Sequence, residues 1–174
     1  MMANQIQTLE FGEKRSFVGI SQEVEQLLNH AFQAELVGMT HLASLTALLP
    51  GEEAISVLRQ ANEKRKRAEH LLTFFGMDHP HVSEPHYLHP LKRYYRNHLS
   101  KNDLFSCNLI NHVVFSSLLM AVYSRMLLHV DDGMRQFLRN GLDAEERQSQ
   151  GQVELLAADF VHDEKRATAK VKRV

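Results

Sequence analysis

Residues 78–90 read DHPHVSEPHYLHP. Three of the chain's four prolines fall in this stretch, and each of its four histidines, His79, His81, His86 and His89, lies beside or near one. Proline removes a backbone donor and pushes the preceding residue out of the helical region, so no helix runs through here. On either side the pattern turns to long helical periodicity. The stretch therefore divides the chain into two helical halves.

Upstream, Ser21 is a good N-cap, with Gln22 and Glu23 suited to a first turn. Apolar residues then step by three and four (Val24, Leu28, Ala31, Leu42, Leu45, Leu49), which predicts a first helix over about 21–49. Pro50-Gly51 ends it. A second helix is expected over 52–75, with Ala54, Leu58, Ala61, Ala68, Leu72 and Phe75 on one stripe and Gly76 as its stop. The short connection makes an antiparallel hairpin.

Downstream, a short basic and aromatic helix, LKRYYRNHL, is followed by a third long helix over 103–129, capped by Asp103 or Asn102. Its seam is Phe105, Leu109, His112, Leu119, Val122 and Met126. Asp131-Asp132-Gly133 supplies a turn and the next cap. The fourth helix covers 133–164, with Leu138, Leu142, Val153, Leu156 and Phe160, and Gly141 and Gly151 weaken it locally. The expected fold is all-α: one domain over 1–174, an antiparallel four-helix bundle with a long crossover, 76–102, between helices two and three. Residues 1–20 form a lead-in anchored by Phe11, Phe17 and Ile20, and 165–174 a basic tail. An up-down-up-down bundle with short loops is the alternative.

The totals suit this architecture. A chain of 174 residues, 44% hydrophobic, is long enough to bury a core. A formal net charge of −1 argues against nucleic acid as a partner. No run of about 18 apolar residues is present, so no membrane span is expected. The N-terminus lacks the apolar centre of a signal peptide, and the lone Cys107 suits a reducing cytosol and reads as a small buried hydrophobe. A cytoplasmic protein is the expectation. Eleven histidines raise the prospect of metal chemistry.

The informative feature is where ionisable groups interrupt the apolar seams. Glu35 sits on the stripe Leu28, Ala31, Glu35, Gly38, Leu42, where a carboxylate must be paired, hydrogen-bonded or metal-bound. Helix two carries a polar stretch from Asn62 to His70, helix three places His112 in its seam, and helix four carries Asp143, Glu145, Gln148 and Gln152. Reflection about Pro50 sets Glu35 opposite residues near 66. Reflection about a turn near 130 sets Glu145 opposite Ser116, one turn from His112. At 1.5 Å rise per residue these offsets are roughly 5 Å, so the groups can meet near mid-bundle.

Residues 21–75 and 103–160 resemble the two helix pairs of the ferritin-like superfamily, which includes ferritins, bacterioferritins, rubrerythrins and di-iron oxygenases. In that family the four helices give Glu, Glu-x-x-His, Glu and Glu-x-x-His. Glu35 in QAELVG matches the first. KRKRAEHLL resembles the second-helix motif and keeps His70, with Arg67 three residues before it; the family register alternatively sets Lys64 and Arg67 at the ligand positions. Helix three has no Glu, and His112 is its nearest donor. DAEERQSQ keeps Glu145, with Gln148 where the His would stand.

Two functions follow from the resemblance. In the first, Glu35, His70, His112 and Glu145 hold iron, or manganese or zinc, with Gln148 and Glu63 as secondary donors, and iron would activate dioxygen in an oxidoreductase. In the second, Arg67 pairs with Glu35 or Glu145, replacing the metal by ion pairs, and the bundle is a metal-free adaptor for a protein partner. A homodimer is expected, and the direction of Arg67 separates the readings.

Other features read more plainly. His79, His81, His86 and His89 form a polar crossover loop without the cysteine spacing of structural zinc. His41 reads as a hydrogen-bonded core or boundary histidine rather than a haem ligand. The basic runs 64–67 and 92–96 read as solvated faces. No Gly-rich phosphate loop, nucleophile elbow or Ser/His/Asp triad is found.

Overall fold

The computed structural model describes residues 22–75 and 84–162, and these are all-helical. The lead-in, His79, His81 and the basic tail lie outside the described residues. Five helices follow in order: α1 Gln22–Leu45, α2 Gly51–Phe75, α3 Leu88–Leu99, α4 Leu104–Met126 and α5 Asp132–His162.

Local chemistry sets most boundaries. The first helix was expected to reach 49; instead it tightens to a 3-10 turn over Thr46–Leu48 before Pro50, and the Thr46 hydroxyl donates back to the Ala43 carbonyl at 2.7 Å. Asp103 caps α4, its side chain accepting from the Ser106 amide at 3.3 Å. Asn102 before it adopts φ 54°, a left-handed conformation that asparagine tolerates better than most residues, and this turns the chain from α3 into α4. Asp131 accepts from the Met134 amide at 3.0 Å and opens α5.

One local feature has no counterpart in the sequence pattern. Over Leu109–Phe115, α4 widens into π-helical turns, which carry Asn111 and His112. By length and composition α4 is also apolar enough to cross a membrane, the one such helix among the described residues. Half of its apolar window is buried in the fold, where Ile110, Phe115, Leu119, Val122 and Met126 pack.

α1 packs along α2, α4 packs along α5 and against α1, and α3 lies on α4 and α1. Two apolar clusters result. One joins Leu28, Phe32, Leu71, Leu119, Met126 and Leu138; the other joins Val37, Leu45, Leu88, Tyr95, Ile110 and Phe115. Each fully buried leucine contributes roughly 1.5–3 kcal/mol. α2 departs from its expected stripe. Leu58 is 55% exposed, and the buried positions are Ala61, Lys64, Arg67, Ala68 and Leu71. Val153 of α5 is likewise largely exposed, whereas Leu138 and Leu156 are buried as expected.

Candidate functional site

Between the two apolar clusters lies a layer of buried charge. Glu35 of α1 and Glu145 of α5 are fully buried. They lie at the levels the turns dictate. Glu35 meets Arg67 across the α1–α2 hairpin, and Glu145 Oε2 accepts from Ser116 Oγ at 2.8 Å across α4–α5.

Arg67 points inward and bridges the carboxylates. Its Nε donates to Glu35 Oε1 at 2.5 Å, and its Nη2 donates to Glu145 Oε1 at 2.5 Å and Glu35 Oε2 at 3.2 Å. Lys64 Nζ donates to Glu145 Oε1 at 2.7 Å and stands 3.7 Å from Glu35 Oε2. Tyr123 Oη completes the layer by donating to Glu35 Oε1 at 2.5 Å. All four carboxylate oxygens thus face a donor. Two cations balance two anions, which is how such a layer survives away from water.

Two glycines make room for it. A Cβ at Gly38 would lie 2.9 Å from Lys64 Cδ, and one at Gly141 would lie 2.6 Å from Tyr123 Cε2. Gly38 therefore admits the lysine stem, and Gly141 admits the tyrosine ring.

The electrostatics follow from the geometry. Burial opposes the Arg67 charge, but the carboxylates of Glu35 and then Glu145 outweigh it and hold its pKa above the ordinary value. Burial would raise Glu145, but Lys64 and then Arg67 hold it below the usual carboxylate range. Tyr123 is pushed well up by burial and by the Glu35 charge, so it stays a neutral donor.

His112 lies beside this layer, buried. Burial, reinforced by Lys64, pulls its pKa down to about 4 against the opposing pull of Glu145. A second polar group continues along α4. His41 Nδ1 lies 3.2 Å from Asn111 Oδ1, a hydrogen bond between two buried side chains. The His41 ring stacks on Tyr95 with centroids 3.8 Å apart, and Tyr95 Oη donates to the His41 carbonyl at 2.6 Å. Burial brings His41 to about 4 as well.

The residues singled out from the sequence divide. Glu35 and Glu145 meet in the layer, and His112 adjoins it. His70 stands elsewhere: it is exposed, its ring stacked on Phe137 with centroids 4.3 Å apart. Glu63 is exposed and accepts from Lys66 at 2.8 Å. Gln148 is half-buried. His86 and His89 are exposed, their rings 6.4 Å apart between centroids. Tyr123 was not anticipated as a member, and Ser116 was named only as the residue opposite Glu145. Both are polar residues on the inward face of α4, seven positions apart, and that spacing was the available signal.

A metal between Glu35 and Glu145 does not fit this arrangement. The ammonium of Lys64 and the guanidinium of Arg67 already occupy the space between the carboxylates, and a divalent ion there would add uncompensated charge. Among the described residues, no group of three or more His, Cys, Asp or Glu side chains is placed to hold one. Compared with known proteins, the chain matches no family model, no curated protein and no solved structure.

Proposed function

We propose that this chain is a metal-free, ferritin-like four-helix bundle, an adaptor or scaffold for a protein partner, whose polar core layer is held by ion pairs. Arg67 carries the reading, because its guanidinium spans Glu35 and Glu145 at the positions where the family resemblance asks for metal ligands. The order of elements supports the bundle: the hairpin α1–α2, a connecting segment containing α3, then the pair α4–α5. An iron-dependent oxidoreductase would require both cations to leave their carboxylates, which costs several kcal/mol for each stranded buried charge.

The layer does a structural job in this reading. Long side chains from α2 reach across to Glu145 of α5. Directional bonds fix the register of the helices where small apolar side chains would leave it loose. A cytoplasmic setting goes with the fully buried Cys107.

Elemental analysis tests the proposal on protein purified without a metal-affinity tag, before and after anaerobic loading with ferrous iron. No stoichiometric iron, manganese or zinc is the expected result. One or two equivalents, lost in Glu35→Ala, would overturn it.

A further inference from the structure

α3 is amphipathic, with its apolar side turned into the protein. Leu88 and Tyr95 are fully buried and cluster with Val37 of α1 and with Cys107 and Phe115 of α4. Tyr95 Oη donates to the His41 carbonyl at 2.6 Å, which fixes the helix against α1. The opposite side faces solvent. At about 100° per residue, His89, Arg93, Arg96, Asn97 and the C-cap Ser100 fall within a stripe about 100° wide, and all five are exposed. Exposed Lys101 follows at its end.

No acid offsets this stripe. Residues 84–102 hold four Lys and Arg and one Glu, in a chain of formal net charge −1. Glu84 pairs with Lys92, on the flank, at 3.0 Å. Asp103 caps α4 and bonds His98 at 2.9 Å. Arg93, Arg96 and Lys101 have no ion pair among the described residues. Lys92 and Arg96 stand four residues apart, and Arg93 and Arg96 three apart, spacings at which like charges destabilise a helix. An anion covering the face would relieve that repulsion.

The kind of anion is read from the rest of the stripe. It carries no exposed Phe, Tyr or Trp, since Tyr95 is buried and Tyr94 half-buried, so it offers nucleic-acid bases no aromatic platform. It carries no large apolar side chain to enter a lipid layer, because that side of α3 is packed in the core. Guanidinium groups match carboxylates with two parallel bonds, and Asn97 beside them adds an amide donor. From His89 to Ser100 the stripe runs about 16 Å, the length of about five extended residues.

We infer that the outer face of α3 docks an acidic segment of a partner protein, its Asp or Glu carboxylates seated on Arg93 and Arg96 with Lys101 at one end. The packed inner side holds the helix in place, so little ordering of this chain is needed on binding. The inference rests on reading the chain as a scaffold for a protein partner, and it names that partner's chemistry.

Fluorescence anisotropy of a labelled hexaglutamate peptide, titrated with the full chain at low salt, tests it. The wild type is expected to bind saturably. Arg93→Glu with Arg96→Glu should weaken binding by about tenfold or more. Arg93→Gln with Arg96→Gln, which places no new charge on the helix, should weaken it as well, with an unchanged circular dichroism spectrum. Arg139→Glu with Arg147→Glu makes the same charge change at exposed positions of α5 and should leave binding unchanged. Hexauridylate and vesicles containing phosphatidylserine probe the other anions and should bind more weakly than the peptide. A wild type that does not bind the peptide, α3 variants that bind as well as the wild type, or an equal loss in the α5 variant would overturn the proposal. So would hexauridylate or vesicles held more tightly than the peptide by the same arginines. Metal content plays no part in this readout, so its failure leaves the ion-paired core untouched, and a metal found in the core leaves the peptide result standing.

Discussion

Arg67 Nε donates to Glu35 Oε1 at 2.5 Å inside a hairpin whose two helices are joined by a single tight turn. The pair is neutral only as part of a set of four, with Lys64 and Glu145. Arg67→Met would strand one buried carboxylate, at a cost of about 3–5 kcal/mol, equivalent to a fall in Tm of about 10 °C in a chain of this size. Replacing the whole layer should cost far less. A variant carrying Glu35→Leu, Lys64→Met, Arg67→Met, Glu145→Leu, Tyr123→Phe and Ser116→Ala leaves no charge or hydroxyl unpaired. It should unfold within about 2 kcal/mol of the wild type, or above it. Urea unfolding of both variants checks the contrast.

Acid should destabilise the fold in two stages. Burial lowers the pKa of His41 and His112 to about 4, against 6.5 in the unfolded chain. Between these values the unfolded state binds the protons and the folded state refuses them. Stability is therefore full above about pH 6.5 and declines as the pH falls towards 4, by up to about 3 kcal/mol for each histidine. Glu145, held below the ordinary carboxylate value of 4.5 although burial opposes it, adds a second loss below that pH as its pairs with Lys64 and Arg67 are protonated away. Stability measured at pH 7, 5.5 and 4 should show this slope, and His112→Leu should remove about half of it between pH 6.5 and 4.5.

The two glycines of the layer should respond differently to alanine. At Gly141 the new methyl meets the Tyr123 ring, which is pinned by its bond to Glu35, so Gly141→Ala should cost about 1–3 kcal/mol. At Gly38 it meets the flexible stem of Lys64, which can shift by a few tenths of an ångström. The alanine also improves helix propensity by about 1 kcal/mol, so Gly38→Ala should be close to neutral. Urea midpoints of the two variants decide between these signs.

These contrasts also show what the sequence exposes and what it hides. Asp103 and Asp131 cap helices where local backbone chemistry marks them, and Pro50-Gly51 marks the start of α2, although α1 itself ends earlier, at Leu45. Glu35 was legible because a carboxylate on an apolar stripe has to be compensated, whereas Glu145 stood out from its polar neighbours only by its level opposite Ser116 and by the family resemblance. The compensating residues were harder to read. Four consecutive cations, Lys64 to Arg67, point around the whole circumference of α2, and only packing decides that 64 and 67 turn inward while 65 and 66 reach solvent. That choice rotates the helix and leaves Leu58 and His70 outside. The π-helical turns of α4 were also hidden, since they shift the register without any local proline or glycine to announce them.

Lys64 and Arg67 are spaced three apart, so exchanging both for a metal-binding pair is a direct test of why the layer holds no place for an ion. Lys64→Glu with Arg67→His removes two positive charges and adds one negative one beside Glu35 and Glu145. Without metal, three buried carboxylates then repel one another, and the apoprotein should lose at least the 3–5 kcal/mol expected of a broken buried pair. Added cobalt or zinc would find carboxylate and imidazole donors converging from α1, α2 and α5, with His112 at the margin. Binding to the folded state alone stabilises it by about 4 kcal/mol at a thousandfold excess over Kd, so Tm should rise steeply with metal in the variant and stay flat in the wild type. A thermal titration against cobalt reads both. If the wild type rises as well, Lys64 and Arg67 do not guard the space between the carboxylates. If neither rises, the helices of this bundle lie too far apart to close around an ion, and the cations fill a gap that no metal could span.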